Sequence, residues 1–240
     1  GSIYTLARVA HVIPRINKQL PILEDFVTVL DADGNVLREV SLLEAFENSA
    51  YASAPHARGI PRKGDIYHTN AIEILDGTLS DQIPAFREGN ILVSLRQVSM
   101  LAVLDMDLEE IVWVASDIWC EQHDPKLLPG GTILVFDNKG DDGASRVVEF
   151  DPVTGQVVWQ FAGDDDFPFF TKMCGASHRL PNGNTLTTES DYGRALEVTP
   201  DGTVVWEFIS PYRAGKRDNL IATLFDVGRL PPDFPLGWLE

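Results

Sequence analysis

Apolar and polar positions alternate along most of this chain, in short runs broken by Gly, Pro, Asp and Asn. A period of two puts successive side chains on opposite faces of a β-strand. Four segments share one design: VTVLDADGNVLREV (27–40), LAVLDMDLEEIVWVA (101–115), VVEFDPVTGQVVWQF (147–161) and ALEVTPDGTVVWEF (195–208). Each is an alternating run, an acidic or Pro-containing turn and a second alternating run, which predicts a hairpin. The Asp-Gly and Thr-Gly pairs supply the positive φ that tight turns require. A second element precedes three of the hairpins and launches a strand from a Gly turn: FREGNILVSLR (86–96), LLPGGTILVFDN (127–138) and RLPNGNTLTTES (179–190). Together the two elements make a four-stranded antiparallel unit of the kind that repeats in propellers.

The predicted fold is therefore all-β, a β-propeller of four-stranded antiparallel blades. One domain is expected over 1–240: a partial blade and loops over about 1–60, repeat blades over 61–116, 117–163 and 164–210, and a closing segment over 211–240. SLLEAFEN (41–48) predicts a short helix capped by Ser41, set in a loop between units. Trp113, Trp159 and Trp206 hold one place in the repeat and are expected to pack between blades. Three complete units fall short of the four to eight blades of a typical propeller. Earlier blades, a second chain or another copy of this one are expected to complete the ring.

Charge narrows the function. The net charge of −17 excludes binding along a nucleic-acid backbone and disfavours docking on anionic lipid. An anionic small substrate would need a local cluster of Arg and His working against that field. No apolar run approaches the ~18 residues of a membrane span. Gly1-Ser2 reads as a cloning remnant, any targeting segment having stood before it. Cys120 and Cys174 lack zinc-site spacing and read as two buried free thiols.

Three histidines, His68, His123 and His178, recur at equal intervals, each on or just before the first strand of its unit (DIYHTN, EQHDPK, GASHRL). In a propeller the innermost strands line a central channel, so these imidazoles are expected to face one channel mouth. The interval to the next turn glycine (Gly89, Gly130, Gly183) varies, so local context carries more weight than the equal spacing. Arg146 opens the strand SRVVEF and could clamp an oxyanion through its planar fork; a surface pairing with Asp141 or Asp142 is the plainer alternative. Asn70, Asp124, Asn138 and Arg194 are further candidates. Three histidines at a channel mouth could also hold zinc or copper, but no HxH or HExxH clustering accompanies them and no metal is assigned. His11 and His56 fall outside the repeat and are expected in loops or facing solvent.

EQHDPKLLPGGTILVFDN, SRVVEFDPVTGQVVW and GASHRLPNGNTLTTES followed by GRALEVTPDGTVVWEF closely resemble the bacterial arylsulfate sulfotransferases, PAPS-independent enzymes on a six-bladed β-propeller. The resemblance covers roughly residues 65–235. It implies ping-pong transfer of a sulfuryl group from a phenolic sulfate ester to an enzyme histidine and on to a phenol acceptor, without a cofactor. On that resemblance His178 matches the nucleophile, His123 and His68 the general acid/base and sulfate-binding histidines, and Arg146 the oxyanion clamp. The residues alone would equally allow His123 to attack. The resemblance further implies blades ahead of the first histidine and a periplasmic or secreted location. Two other readings stand beside it: a non-catalytic propeller used for binding or assembly, and a quinone-cofactor propeller, whose Gly-x-x-x-Trp turns look alike but serve blade packing.

Overall fold

In the computed structural model, which describes residues 1–140 and 143–237, chain contacts divide the protein into Gly1–Phe170 and Thr171–Glu240. The first unit contains three sheets. The first sheet holds β1 (Ile3–His11), β2 (Ile22–Leu30) and β3 (Val36–Ser41), antiparallel in that order, with β4 (Gly64–Asp65) pairing parallel to the start of β2. Between β3 and β4 lie two short helices, α1 (Leu42–Glu47) and α2 (Ala54–Ala57). Ser41 caps α1 as its sequence predicts, its hydroxyl accepting the Glu44 N–H at 3.2 Å. Leu42, Leu43, Ala45 and Phe46 are buried on the helix's inner side.

The second sheet is a four-stranded antiparallel meander, β5 (Thr69–Ile74), β6 (Ile91–Leu95), β7 (Met100–Asp105) and β8 (Glu110–Ser116). The third repeats it with β9 (His123–Leu127), β10 (Ile133–Asp137), β11 (Arg146–Asp151) and β12 (Gln156–Ala162). Every residue of β6, β7 and β10 is buried. These middle strands are covered on both faces, so their segments read as near-continuous apolar runs. One core cluster, with Val27, Leu42, Phe46, Ile66, Tyr67, Val93 and Leu104, fills the space between the first sheet, α1 and the second sheet. Another, with Leu75, Phe86, Leu92, Trp119, Ile133 and Phe150, joins the second sheet to the third. Trp113 packs against that second cluster, edge-on to Phe86 at 5.0 Å.

The second unit contains β13 (Ala176–Arg179), β14 (Thr185–Glu189), β15 (Arg194–Val198) and β16 (Val204–Ile209), again one antiparallel meander, followed by the small hairpin β17 (Arg213–Ala214) and β18 (Leu220–Ile221). Gly193 is where the hairpin's end meets the sheet. Its φ is +58°, and a Cβ there would stand 2.7 Å from the Ala222 carbonyl oxygen. Trp206 does not share the packing expected of it: 40% of its surface is exposed, and it stacks on Phe208 with ring centroids 6.3 Å apart. The outer strand β16 is mostly exposed, and Arg229 lies over this ring, 5.7 Å from its centroid.

The repeat is exact enough to include its irregularities. Each terminal hairpin carries a register shift at one place: Val29/Leu30, Val103/Leu104, Glu149/Phe150 and Glu197/Val198. Just before that shift sit the pairs Val29–Arg38, Val103–Trp113, Glu149–Trp159 and Glu197–Trp206. The repeated Trp thus marks one pleat position, which the first sheet fills with Arg38. A bulge at the same point in every sheet increases local twist in the same way. The hairpin turns need positive φ, met by Gly34, Gly155 and Gly202 but by Glu109 (φ 56°) in the second sheet.

Candidate functional site

In the first unit two histidines stand at the same end of neighbouring strands. His68 immediately precedes β5, and His123 opens β9. Asn70 Nδ2 donates to the Gln122 carbonyl at 2.8 Å, and the Leu127 N–H donates to Glu73 Oε2 at 2.8 Å, so β5 and β9 run side by side in one direction. This brings His68 close enough to His123 for their charges to interact.

The loops leading into both strands are strained into place. His68 has φ 49°; Glu121 and Asp124, flanking His123, have φ 55° and 48°. Non-glycine residues held there need surrounding bonds to keep them, and both loops have them. Asp65 takes the His68 N–H at 2.9 Å on Oδ1 and its ring Nδ1–H at 2.6 Å on Oδ2. Arg8 reaches the same Oδ2 at 3.1 Å and also binds the buried Asp25, whose Oδ2 accepts the Thr69 N–H at 2.8 Å. The Asp65 bond engages Nδ1, so the carboxylate stands behind the ring on the side opposite Nε2.

His123 is held differently. Its Nδ1–H donates to Asn138 Oδ1 at 2.6 Å, since an amide oxygen only accepts. Nε2 therefore carries the lone pair of the neutral ring. Burial, and after it the charges of Arg96 and His68, push the His123 pKa below the ordinary imidazole value, against the raising effect of its hydrogen bonds. Asn138, named from the sequence, thus fixes a tautomer. Asn70, also named, ties the loop before His123 to β5.

Arg96, Glu121 and Lys139 complete this region and were not named from the sequence. Arg96 donates its backbone N–H to the His68 carbonyl at 3.3 Å, and its side chain pairs with Glu121, which also pairs with Lys139. A signal for Arg96 did exist. Aligning ILVSLR, ILVFDN and TLTTES puts Arg96, Asn138 and Ser190 at one repeat position, just past the second strand.

Arg146 lies on the third strand of its sheet. Its Nε donates to Asp137 Oδ2 at 2.8 Å and its Nη2 to the Ile118 carbonyl at 2.6 Å. Asp137 is fully buried, and its Oδ1 accepts the N–H groups of Cys120 (2.8 Å) and Gly140 (3.1 Å). Arg146 thus braces the loop that ends at His123; Asp141 and Asp142, considered as its partners, lie outside the described residues. Arg194 holds the equivalent place in the second unit, its Nε on the buried Glu189. Asp124 pairs with Lys126 at 2.7 Å.

His178 belongs to the second unit, on β13, where its Nε2–H donates to Asp226 Oδ1 at 2.6 Å. Its Nδ1 faces away from that bond. Of the remaining histidines, His11 is on β1 against Glu24 and half exposed, and His56 is exposed on α2. Cys120 and Cys174 are both free thiols and half-buried. No helix among the described residues is long and apolar enough to cross a membrane.

The sequence model of the arylsulfotransferase (ASST) family matches residues 4–211. No curated protein matches the chain. Among solved structures, a protein of unknown function from Bacteroides caccae is 16% identical with a TM-score of 0.46, covering 77% of this chain and 54% of its own. The WD40 β-propeller domain of Doa1 is 11% identical with a TM-score of 0.47, covering 79% and 50%. Virginiamycin B lyase from Staphylococcus aureus is 11% identical with a TM-score of 0.44, covering 87% and 61%. The chain spans between half and two thirds of the length of these structures.

Proposed function

The chain belongs to the arylsulfotransferase family, and on that premise we propose that it transfers a sulfuryl group from a phenolic sulfate ester to a phenol through a sulfohistidine. The observation that carries this reading is geometric: the half-buried His123 ring is held through Nδ1 by Asn138 Oδ1 at 2.6 Å, beside the strand end that bears His68, and its burial favours the neutral ring. A neutral imidazole is a competent nucleophile near pH 7. In the first step Nε2 attacks sulfur and the sulfur–oxygen bond to the aryl group breaks. His68, with Asp65 behind it, protonates the departing phenolate. In the second step His68 takes the proton from the acceptor phenol, whose oxygen attacks sulfur and releases the imidazole. Arg96, whose charge reaches His123 and whose backbone N–H meets the His68 carbonyl, stabilises charge on the sulfuryl oxygens. Arg146 acts through Asp137 as a positioning residue for the His123 loop.

The family resemblance assigns the attack to His178 instead, whose bond to Asp226 leaves Nδ1 for sulfur. Quenching the protein after exposure to p-nitrophenyl sulfate and mapping the sulfated peptide by mass spectrometry separates the two. Sulfation of His123, and its loss in His123→Ala, is the expected result; sulfation of His178 reassigns the nucleophile. A folded protein that releases no p-nitrophenol, with or without added phenol, overturns the function.

A further inference from the structure

The turn that carries His68 is held from the first sheet, by charged residues on three adjacent strands. Arg8 on β1 pairs in register with Asp25 on β2. Asp65 on β4 pairs with Leu23, two residues back along β2. Since β1 covers one edge of β2 along its whole length, β4 lies on the other edge. The Arg8 guanidinium spans this row: Nε and Nη2 bind Asp25, Nη2 at 3.3 Å, and Nη1 donates to Asp65 Oδ2 at 3.1 Å. Asp25 is 2% exposed, so its charge depends on that cation.

Each carboxylate also takes one backbone N–H of the turn. Asp65 Oδ1 accepts from His68 at 2.9 Å, and Asp25 Oδ2 from Thr69 at 2.8 Å. Two consecutive N–H groups at the positive φ of His68 are thus pinned by anions that one guanidinium joins. Asp65 Oδ2 then accepts the ring Nδ1–H of His68 at 2.6 Å, since a carboxylate only accepts.

We propose that Arg8 and Asp25, acting through Asp65, are positioning residues that keep neutral His68 in its Nδ1–H form with Nε2 toward the aryl oxygen. The proposal rests on the sulfuryl-transfer reading, and one tautomer serves both of its steps. In the first, the imidazolium gives its Nε2 proton to the aryl oxygen as the sulfur–oxygen bond breaks, and the ring is left neutral with Nδ1–H on Asp65. In the second, bare Nε2 takes the proton of the acceptor phenol while the phenol oxygen attacks sulfur and the bond from sulfur to the nucleophilic histidine breaks. Without an acceptor at Nδ1, a neutral histidine favours Nε2–H, which has no lone pair there for that proton.

Two measurements on the intact chain test this, one of them independent of turnover. Nitrogen NMR of the histidine-labelled protein at alkaline pH, with His68→Ala for assignment, should show Nδ1–H at His68 and a change to mainly Nε2–H in Asp65→Ala. The second compares kcat/KM for two donors, which reports the first step. Phenolate needs a proton on leaving more than p-nitrophenolate does, so Asp65→Ala should lose about a hundredfold on phenyl sulfate and less than about tenfold on p-nitrophenyl sulfate. Arg8→Gln should lose about tenfold on phenyl sulfate, again more than on p-nitrophenyl sulfate. Should that variant unfold with Asp25 unpaired, Arg8→Gln with Asp25→Asn carries the same test. Nε2–H at His68 in the unsubstituted chain, an unchanged tautomer in Asp65→Ala, or equal losses on both donors would overturn the proposal, as would an Arg8→Gln protein with unaltered kinetics. Absence of any turnover counts against the function, and the tautomer measurement still decides the positioning.

Discussion

The second and third sheets close the same pleat position with opposite chemistry. In the second sheet Leu95 pairs with Met100, both essentially inaccessible. In the third, Asp137 pairs with Arg146 at that place, and in the fourth Glu189 pairs with Arg194. An apolar pair and a buried ion pair are therefore interchangeable as packing. They differ in what else they hold. The Leu95 and Met100 side chains are apolar and anchor no backbone N–H, whereas the Asp137 carboxylate also anchors Cys120 and Gly140 at the two ends of the His123 environment. A buried ion pair is weak evidence for stability; here its use is to fix a strained loop.

The sharpest test of that contrast replaces one partner and then both. Asp137→Leu alone strands the Arg146 charge and is expected to cost about 3–5 kcal/mol in urea unfolding. Adding Arg146→Met copies the second sheet and should recover most of that loss. Sulfuryl transfer should not recover, because the Cys120 N–H stays unanchored. Recovery of activity with stability would show that the Asp137 anchor is dispensable.

A smaller effect lies in pH. The His123 pKa is lowered on folding, so as pH falls the unfolded chain, with its ordinary imidazole near 6.5, takes the proton first. The contribution of His123 to stability is thus flat above about pH 6.5 and declines below it. The acid limb of kcat/KM should likewise lie below about 6.5. Asn138→Asp puts a carboxylate against the ring and should move that limb upward, whereas Arg96→Gln, removing a cation, should raise it less. An unmoved limb in Asn138→Asp would assign the titration to another group.

The smallest expected change is in the first sheet. There Arg38 occupies the place of the repeated Trp and pairs with the exposed Glu109 at 2.9 Å. Arg38→Ala should cost less than about 1 kcal/mol by thermal unfolding. A much larger loss would mean that its aliphatic stem packs as the Trp rings do.

Much of the architecture is legible in the chain, because strand pattern and turn chemistry are local. Alternation and turn residues locate the hairpins at 27–40, 101–115, 147–161 and 195–208, and Ser41 marks the start of α1. Trp206 shows the limit: its repeat position is readable, but whether a neighbour covers it is not. The same limit applies to the site. Aligned repeats nominate His68, His123, Asn70 and Asn138, and Arg96 stands at the Asn138 position of the same segments, a signal as legible as the others.

The sequence by itself determined the repeating unit, the positions of the three histidines within it and membership of the arylsulfotransferase family. Only the tertiary structure decided that Asn138 meets His123 while Asp65 meets His68, and that Arg146 turns to Asp137. Strand periodicity is set by each residue and its neighbours along the chain. The partner of a buried polar group is set by whatever distant segment folding brings within hydrogen-bond reach.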